Sequence, residues 1–117
     1  MSRKAVVLSV VRVAAGGSGE ELILRVPVGF WETEWHRVVA RDDTTSLTRL
    51  EIWARVHAME YCLVADVPGA AARTVSVNTR FTAPDDVSFV AKFYDAVAGD
   101  VLGLWAFGEE REKPVGA

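Results

Sequence analysis

The sequence predicts an α+β domain in which an antiparallel sheet wraps around one long central helix. Valine-rich segments typical of β-strands lie near both ends of the chain, at residues 5–13 and 101–107. Between them, residues 47–65 carry apolar side chains at helical spacing around most of the helix circumference. A helix that is apolar on nearly all sides needs a covering sheet, so these observations together predict the wrapped arrangement.

Composition limits the classes of protein and of site. The chain has 117 residues, 50% of them hydrophobic and 25% charged, which predicts a single folded domain over residues 1–117. The net charge of −3 and the lack of a basic stripe argue against a nucleic-acid partner. The single cysteine excludes an internal disulfide framework and favours a reducing cytoplasm, and with only two histidines beside it we expect no zinc site. No apolar run reaches the roughly 18–20 residues of a membrane span, and we expect no signal peptide.

The first third of the chain is predicted to form strands and an aromatic segment. Residues 5–13 and 22–28 are rich in β-branched side chains, and the glycine cluster at 16–19 predicts a hairpin loop between them. This cluster lacks the Lys-Ser/Thr ending of a phosphate-binding loop. Residues 29–36 are expected to form an aromatic loop or a short strand. Residues 41–46 are rich in N-capping side chains and predict the start of a helix.

The segment from residue 47 to residue 65 is predicted to be a helix that ends at Pro68 and Gly69. An alternating strand is the alternative, because Leu50, Ile52 and Ala54 also follow a period of two. We prefer the helix because of the capping cluster, the length and the stop signal.

The remaining residues predict further strands. Residues 73–81 alternate cleanly, and residues 82–86 form a predicted turn. Residues 87–94 fit either a strand or a helix. A turn at Gly99 and Asp100 precedes the strand at 101–107, and residues 109–113 are expected to be solvated. Because a curved sheet covers only part of an apolar helix, we expect a homodimer or a higher oligomer.

Several segments resemble hotdog-fold proteins. Residues 24–36, LRVPVGFWETEWH, resemble the part of 3-hydroxyacyl-ACP dehydratases that leads to the catalytic histidine. Residues 47–54, LTRLEIWA, place Glu51 fifteen positions after His36, where that family has its helical acidic residue. Residues 78–87, NTRFTAPDDV, and 99–107, GDVLGLWAF, resemble strands of dehydratases and MaoC-like hydratases. The resemblance implies a hotdog fold, shared with thioesterases.

This resemblance implies an acyl or polyketide-like thioester, carried on acyl carrier protein or coenzyme A, as the substrate. Dehydration of a 3-hydroxyacyl thioester needs a base for the α-proton and an acid for the leaving hydroxyl. A histidine titrates near neutrality, so His36 is the candidate base and Glu51 is the candidate acid, and this chemistry needs no metal or redox cofactor. Trp31, Trp35 and Trp53 are candidates for lining an apolar substrate tunnel.

Other interpretations remain open for these residues. His36 also fits an ordinary loop histidine, Glu51 an ion pair, and the tryptophans core or dimer packing. His57 and Cys62 are expected to be structural. The domain is alternatively a non-catalytic module that binds a small apolar ligand or a protein. A third interpretation, if residues 84–98 form a helix, is a cone-shaped fold like that of steroid isomerases.

Overall fold

The computed structural model describes residues 3–16, 20–26, 31–43, 50–56, 58–66, 73–82, 87–94 and 96–112. Within these ranges every regular element is a β-strand, and there are eight of them. In chain order the strands are β1 (Arg3–Val13), β2 (Glu20–Arg25), β3 (Trp31–Asp43), β4 (Leu50–Val56), β5 (Met59–Asp66), β6 (Arg73–Thr82), β7 (Val87–Phe93) and β8 (Val101–Glu112).

The predicted α+β hotdog fold is therefore wrong. Residues 47–65 do not form a helix where the structure describes them, because β4 and β5 occupy residues 50–56 and 59–66. These two strands pair in antiparallel fashion, with Val56 opposite Met59. Residues 87–94, which fitted either element, contain strand β7. The strands predicted at 5–13, 73–81 and 101–107 correspond to β1, β6 and β8, and the one at 22–28 overlaps β2.

Three further sequence predictions are changed by the strand boundaries. Residues 31–36, predicted as an aromatic loop or a short strand, belong to the long strand β3, which continues to Asp43. Residues 41–43 end this strand instead of starting a helix, and residues 44–49 lie outside the described residues. Residues 109–112, predicted to be solvated, continue β8.

The eight strands form a sandwich of two antiparallel sheets. One sheet has the order β1-β8-β3-β6 and the other has the order β2-β7-β4-β5. Strand β1 pairs with β8, β2 with β7, β3 with β6, and β4 with β5. The first four strands therefore pair, in reverse order, with the last four. This nested pairing, folded into two sheets, is the jelly-roll arrangement of an eight-stranded sandwich.

The core lies between the two sheets and is built from alternate residues of the strands. Its largest fully buried side chains include Trp35, Phe89, Phe93, Leu50 and Ile52. The ring of Trp35 on β3 meets that of Phe89 on β7 edge to face, with centroids 5.6 Å apart, and so joins the two sheets.

A bulge in β3 changes which side chains face the core. The pairing of β3 with both β6 and β8 shifts between Trp35 and Arg37. The shift leaves His36 and Arg37 both exposed, whereas Trp35 before it and Val38 after it are fully buried. Odd-numbered residues of β3 therefore face the core before the bulge, and even-numbered residues face it after the bulge.

Candidate functional site

The structure places the predicted acid–base pair in different sheets. His36 lies at the bulge of β3 and is exposed, with its Nδ1 atom 3.5 Å from Oε1 of Glu34. Glu51 lies on β4 of the other sheet, between the core residues Leu50 and Ile52, so its side chain is on the outer face of that sheet. No described contact joins the two residues within one chain.

Glu51 is nevertheless the most buried acidic side chain on this outer face, with 4% exposure. Its Oε1 atom accepts a hydrogen bond from the hydroxyl of Tyr94 at 2.6 Å and another from the indole Nε1 of Trp53 at 3.0 Å. These donors lie on β4 itself and just beyond β7, and they satisfy a carboxyl that burial would otherwise penalise. The hydrogen bond to Glu51 fixes the position of the Trp53 ring, which lies beside Lys92.

A charged cluster, formed by Glu21, Trp53, Arg55, Glu60 and Lys92, spans the outer face of the same sheet. Lys92 on β7 donates to Glu60 Oε1 at 3.0 Å and lies 4.4 Å from the centroid of the Trp53 ring. Arg55 on β4 donates from its Nε to Glu60 Oε2 at 3.1 Å. Glu21 on β2 lies 4.0 Å from Lys92. Paired charges cover this face, as in a solvated sheet surface.

These contacts change the pKa values of two members of the charged cluster. Hydrogen bonds from Arg55 and then Lys92 lower the pKa of the Glu60 carboxyl below its ordinary value of 4.5. The hydrogen bond to Glu60 raises the pKa of the Lys92 ammonium group above its ordinary value of 10.5. Both groups are therefore charged at neutral pH, so Lys92 is not an activated nucleophile.

The lowered pKa of Glu60 predicts acid sensitivity. Its contribution to stability is present above its unfolded-state pKa and is lost as the pH falls through its lower folded-state pKa. Urea unfolding from about pH 6 to about pH 2 should show the difference in free energy of unfolding between wild type and Glu60→Gln shrinking as the pH falls. Glu34→Gln, at an exposed carboxylate of the other sheet, is the control. A pH-independent difference for Glu60→Gln would contradict the assignment.

The outer face of the β1-β8-β3-β6 sheet differs sharply from the charged one. We call its apolar part the apolar face, and it consists of Val7, Val11, Val13, Val101, Trp105 and Phe107. Pairing places these residues in rows, with Val7 beside Phe107 and Val13 beside Val101. Among them, Val7 and Val11 are each 55% exposed and Phe107 is 38% exposed. Large exposed apolar groups side by side are typical of a contact surface.

The ring of Trp105 lies flat along the apolar face because Gly103 has no side chain. A Cβ atom at Gly103 would overlap Cη2 of the Trp105 ring. Gly103 itself pairs with Val11 on one side and Arg41 on the other, so the indole fills the space between strands β1 and β3. The sequence placed Trp105 only within the strand predicted at 101–107, and this face was not among the predicted sites.

The remaining candidate residues have structural positions. Trp35, predicted to bind substrate, is fully buried in the core, and Trp53 belongs to the charged cluster. Trp31 begins β3, but its side chain lies outside the described part of the structure, as does the whole of His57. Cys62, which the sequence predicted to be a small core residue on a helix, is instead exposed on β5. In the described ranges, no three His, Cys, Asp or Glu residues are grouped as metal ligands, and no helix is long and apolar enough to cross a membrane.

Comparisons with known proteins give little further information. No protein-family model matches the chain, and no curated protein matches it. Among solved structures, the crystal structure of murine APRIL at pH 8.5 matches with a TM-score of 0.48 and 15% sequence identity, over 87% of this chain and 98% of that chain. A likeness of this size does not identify a family, and the jelly-roll assignment rests on the strand order.

The apolar face had a signal in the sequence. Residues 5–11 are uncharged throughout, so β1 presents apolar side chains to both of its faces, with Val6 and Val10 half-buried and Val7 and Val11 exposed. A strand that is apolar on both faces is typical of one covered on both faces. That pattern predicts a second packing partner outside the domain.

Proposed function

We propose that this domain is a non-catalytic protein-binding module that assembles with a second copy of itself through the apolar face. The observation that carries the proposal is the contrast between the two outer faces of the sandwich. One carries a cluster of paired charges, with Ile23 as an isolated exposed apolar residue, and the other carries contiguous exposed valine and aromatic side chains. Since both faces belong to the same small sandwich, solubility alone does not account for the difference.

The outer side of the whole sheet has the size of one side of a dimer interface, and the apolar face on β1 and β8 is about half of it. A strand of 11 residues such as β1 is roughly 36 Å long and four strands are about 19 Å wide, so the sheet side is about 700 Å² and its apolar half about 350 Å². A standard protein interface buries about 800 Å² on each partner. Face-to-face packing of two sheets, at the spacing found inside a sandwich, would cover the described valines and Phe107 of both copies.

Charge also favours a second copy over an acidic or basic partner. The middle rows of the apolar face contain no acidic side chain among the described residues, and Arg37 and Arg41 are exposed beside it on β3. Glu109 lies at one end of the face, next to Ala5. On β1 and β8 the contact surface is therefore uncharged in its middle rows, so two copies that meet through these two strands keep Arg37 and Arg41 at the margin.

Substitution of Phe107 by lysine tests this proposal. Phe107→Lys places a charge within the apolar contact beside Arg37, so we expect the dissociation constant of the dimer to rise at least about tenfold. Ile23→Lys is the matched control, because Ile23 is 50% exposed on the outer face of the other sheet. Sedimentation equilibrium over a range of concentrations measures both variants against wild type.

A second variant distinguishes loss of association from a folding defect caused locally by Phe107→Lys. Val101→Lys changes another exposed residue of the apolar face, in a different row from Phe107. Wild-type protein that is monomeric at all concentrations, or a dimer weakened equally by Ile23→Lys and by both face variants, overturns the proposal. Acyl-thioester dehydration by His36 and Glu51, and the cytoplasmic location, remain predictions from the sequence.

A further inference from the structure

Strand β1 forms an edge of its sheet and is unusually regular. It pairs with β8 over 11 consecutive residues without a register shift. In the described structure its other side has no strand neighbour in the sheet order. An edge strand that is long, straight and free of interruptions presents a row of backbone donors and acceptors to any additional strand.

One backbone contact shows which groups of β1 face outward. The N–H of Ala14 donates to the carbonyl of Asp100 at 2.7 Å, in continuation of the β1–β8 register. Because hydrogen-bonded and non-hydrogen-bonded residues alternate in an antiparallel pair, even-numbered residues of β1 bond to β8. The N–H and C=O groups of the odd-numbered residues therefore point to the open edge, and these include Val7, Ser9 and Val11.

The other edge strands carry features that discourage pairing. Strand β2 has only six residues and begins with Glu20 and Glu21. Strand β5 has a register shift opposite Ile52 and Trp53, and β6 is paired across the bulge of β3. In β1, by contrast, residues 5–11 contain no charge and no proline, and charged residues occur only beyond them, at Arg3, Lys4 and Arg12.

We infer that β1 pairs in antiparallel fashion with β1 of a second copy, about a two-fold axis at Leu8. Leu8 is the central residue of the uncharged segment 5–11, so this register alone pairs the whole segment with itself. It places Lys4 opposite the partner's Arg12, and each cation already has a carboxylate within 3.4 Å, Glu110 and Glu20 respectively. Two-fold symmetry makes the contact isologous.

This contact goes beyond the proposed function, because it uses the backbone of one edge and not the side chains of the apolar face. It joins the β1-β8-β3-β6 sheet of one copy to the same sheet of the second copy, which gives one continuous eight-stranded sheet. A protein that makes both contacts forms assemblies larger than a dimer, whereas either contact alone gives a dimer.

Proline at Ser9 tests the edge contact without touching the ladder to β8. The N–H of Ser9 points outward, so Ser9→Pro removes only the donor offered to a second copy, which edge strands tolerate. Ser9→Val is the matched control, since it keeps the N–H at the same position. By analytical ultracentrifugation we expect Ser9→Pro to raise the dissociation constant about tenfold relative to Ser9→Val, because two symmetric hydrogen bonds are lost.

Cysteine cross-linking tests the register, in a Cys62→Ser background. In the proposed pairing Leu8 lies directly opposite its own copy, with Cα atoms about 4.5 Å apart, which permits a disulfide. Val6, which is also half-buried and faces the same side, is offset from its copy by about 14 Å. Mild oxidation should therefore give covalent dimers of Leu8→Cys and not of Val6→Cys.

The results separate this inference from the face contact. Equal dissociation constants for Ser9→Pro and Ser9→Val, or equal cross-linking of Val6→Cys and Leu8→Cys, overturn the edge contact whatever Phe107→Lys does. Loss of association in Ser9→Pro with no effect of Phe107→Lys supports the edge contact and overturns the face contact. Circular dichroism of each variant checks that the sandwich is folded.

Discussion

Replacement of Trp35 by alanine is expected to lower the free energy of unfolding by about 3–5 kcal/mol. Trp35 is fully buried between the sheets and meets Phe89 edge to face across the core. Its backbone carbonyl also accepts a hydrogen bond from the Thr79 hydroxyl at 2.6 Å, which holds the bulge of β3 against β6. Truncation leaves a cavity that rigid sheets on both sides cannot fill by collapsing. Urea unfolding followed by circular dichroism measures the loss.

Trp35→Phe is the control for this prediction. Phenylalanine keeps an aromatic ring against Phe89, and the indole Nε1 that it removes has no hydrogen-bond partner among the described residues. We expect a smaller loss, about 1–2 kcal/mol, from the change of shape. If Trp35→Ala were no more destabilising than Trp35→Phe, the indole would not be the main packing contact between the sheets.

Alanine at Gly108 is expected to destabilise the fold by about 3 kcal/mol, because a Cβ atom there has no space. Gly108 pairs with Trp35 at the bulge, and the added Cβ would overlap the backbone carbonyl oxygen of Glu34 and approach Cε3 of Trp35 to 3.0 Å. A backbone carbonyl in the centre of a sheet cannot move without breaking the pairing of β3 with β8. Thermal and urea unfolding report this cost.

The matched control is Gly103→Ala, on the same strand. There the added Cβ would meet only the outer atoms of the Trp105 ring, which can rotate away on the apolar face. We expect a loss below about 1 kcal/mol and a change in tryptophan fluorescence. Equal losses for the two alanine variants would show that the bulge does not constrain Gly108.

The sequence predicted much of the strand content but failed at the centre of the chain. Strands β1, β6 and β8 follow from alternation and β-branched composition. At β4 and β5 the apolar residues satisfy both a period of two and a helical spacing, so periodicity alone could not decide between them. The hairpin between them gives no turn signal, because Ala58 takes the left-handed conformation, with φ of 68°, that glycine or asparagine normally occupies.

Two bulges interrupt the alternation of buried and exposed residues in β3 and β5. In β3 the buried series passes from Trp35 to Val38, so the alternation breaks at His36 and the segment resembles a loop. In β5 the shift opposite Ile52 and Trp53 has the same effect, and it added to the impression of a helix. The resemblance to dehydratases rested on short stretches such as 24–36 and 47–54, and matches of that length do not determine how the strands pair.

Composition and alternation by themselves determined that this chain is a compact, half-hydrophobic domain with apolar strands near both ends. The interpretation of Glu51 and the expected oligomer both rested on a helix that the structure replaces with β4 and β5. Only the tertiary structure decided that Glu51 binds Tyr94 and Trp53 while His36 lies in the other sheet. Local patterns record which side chains are buried, whereas nonlocal strand pairing decides which buried side chains meet. Pairing β1 with β8, nearly a hundred residues apart, created both the apolar face and the open edge.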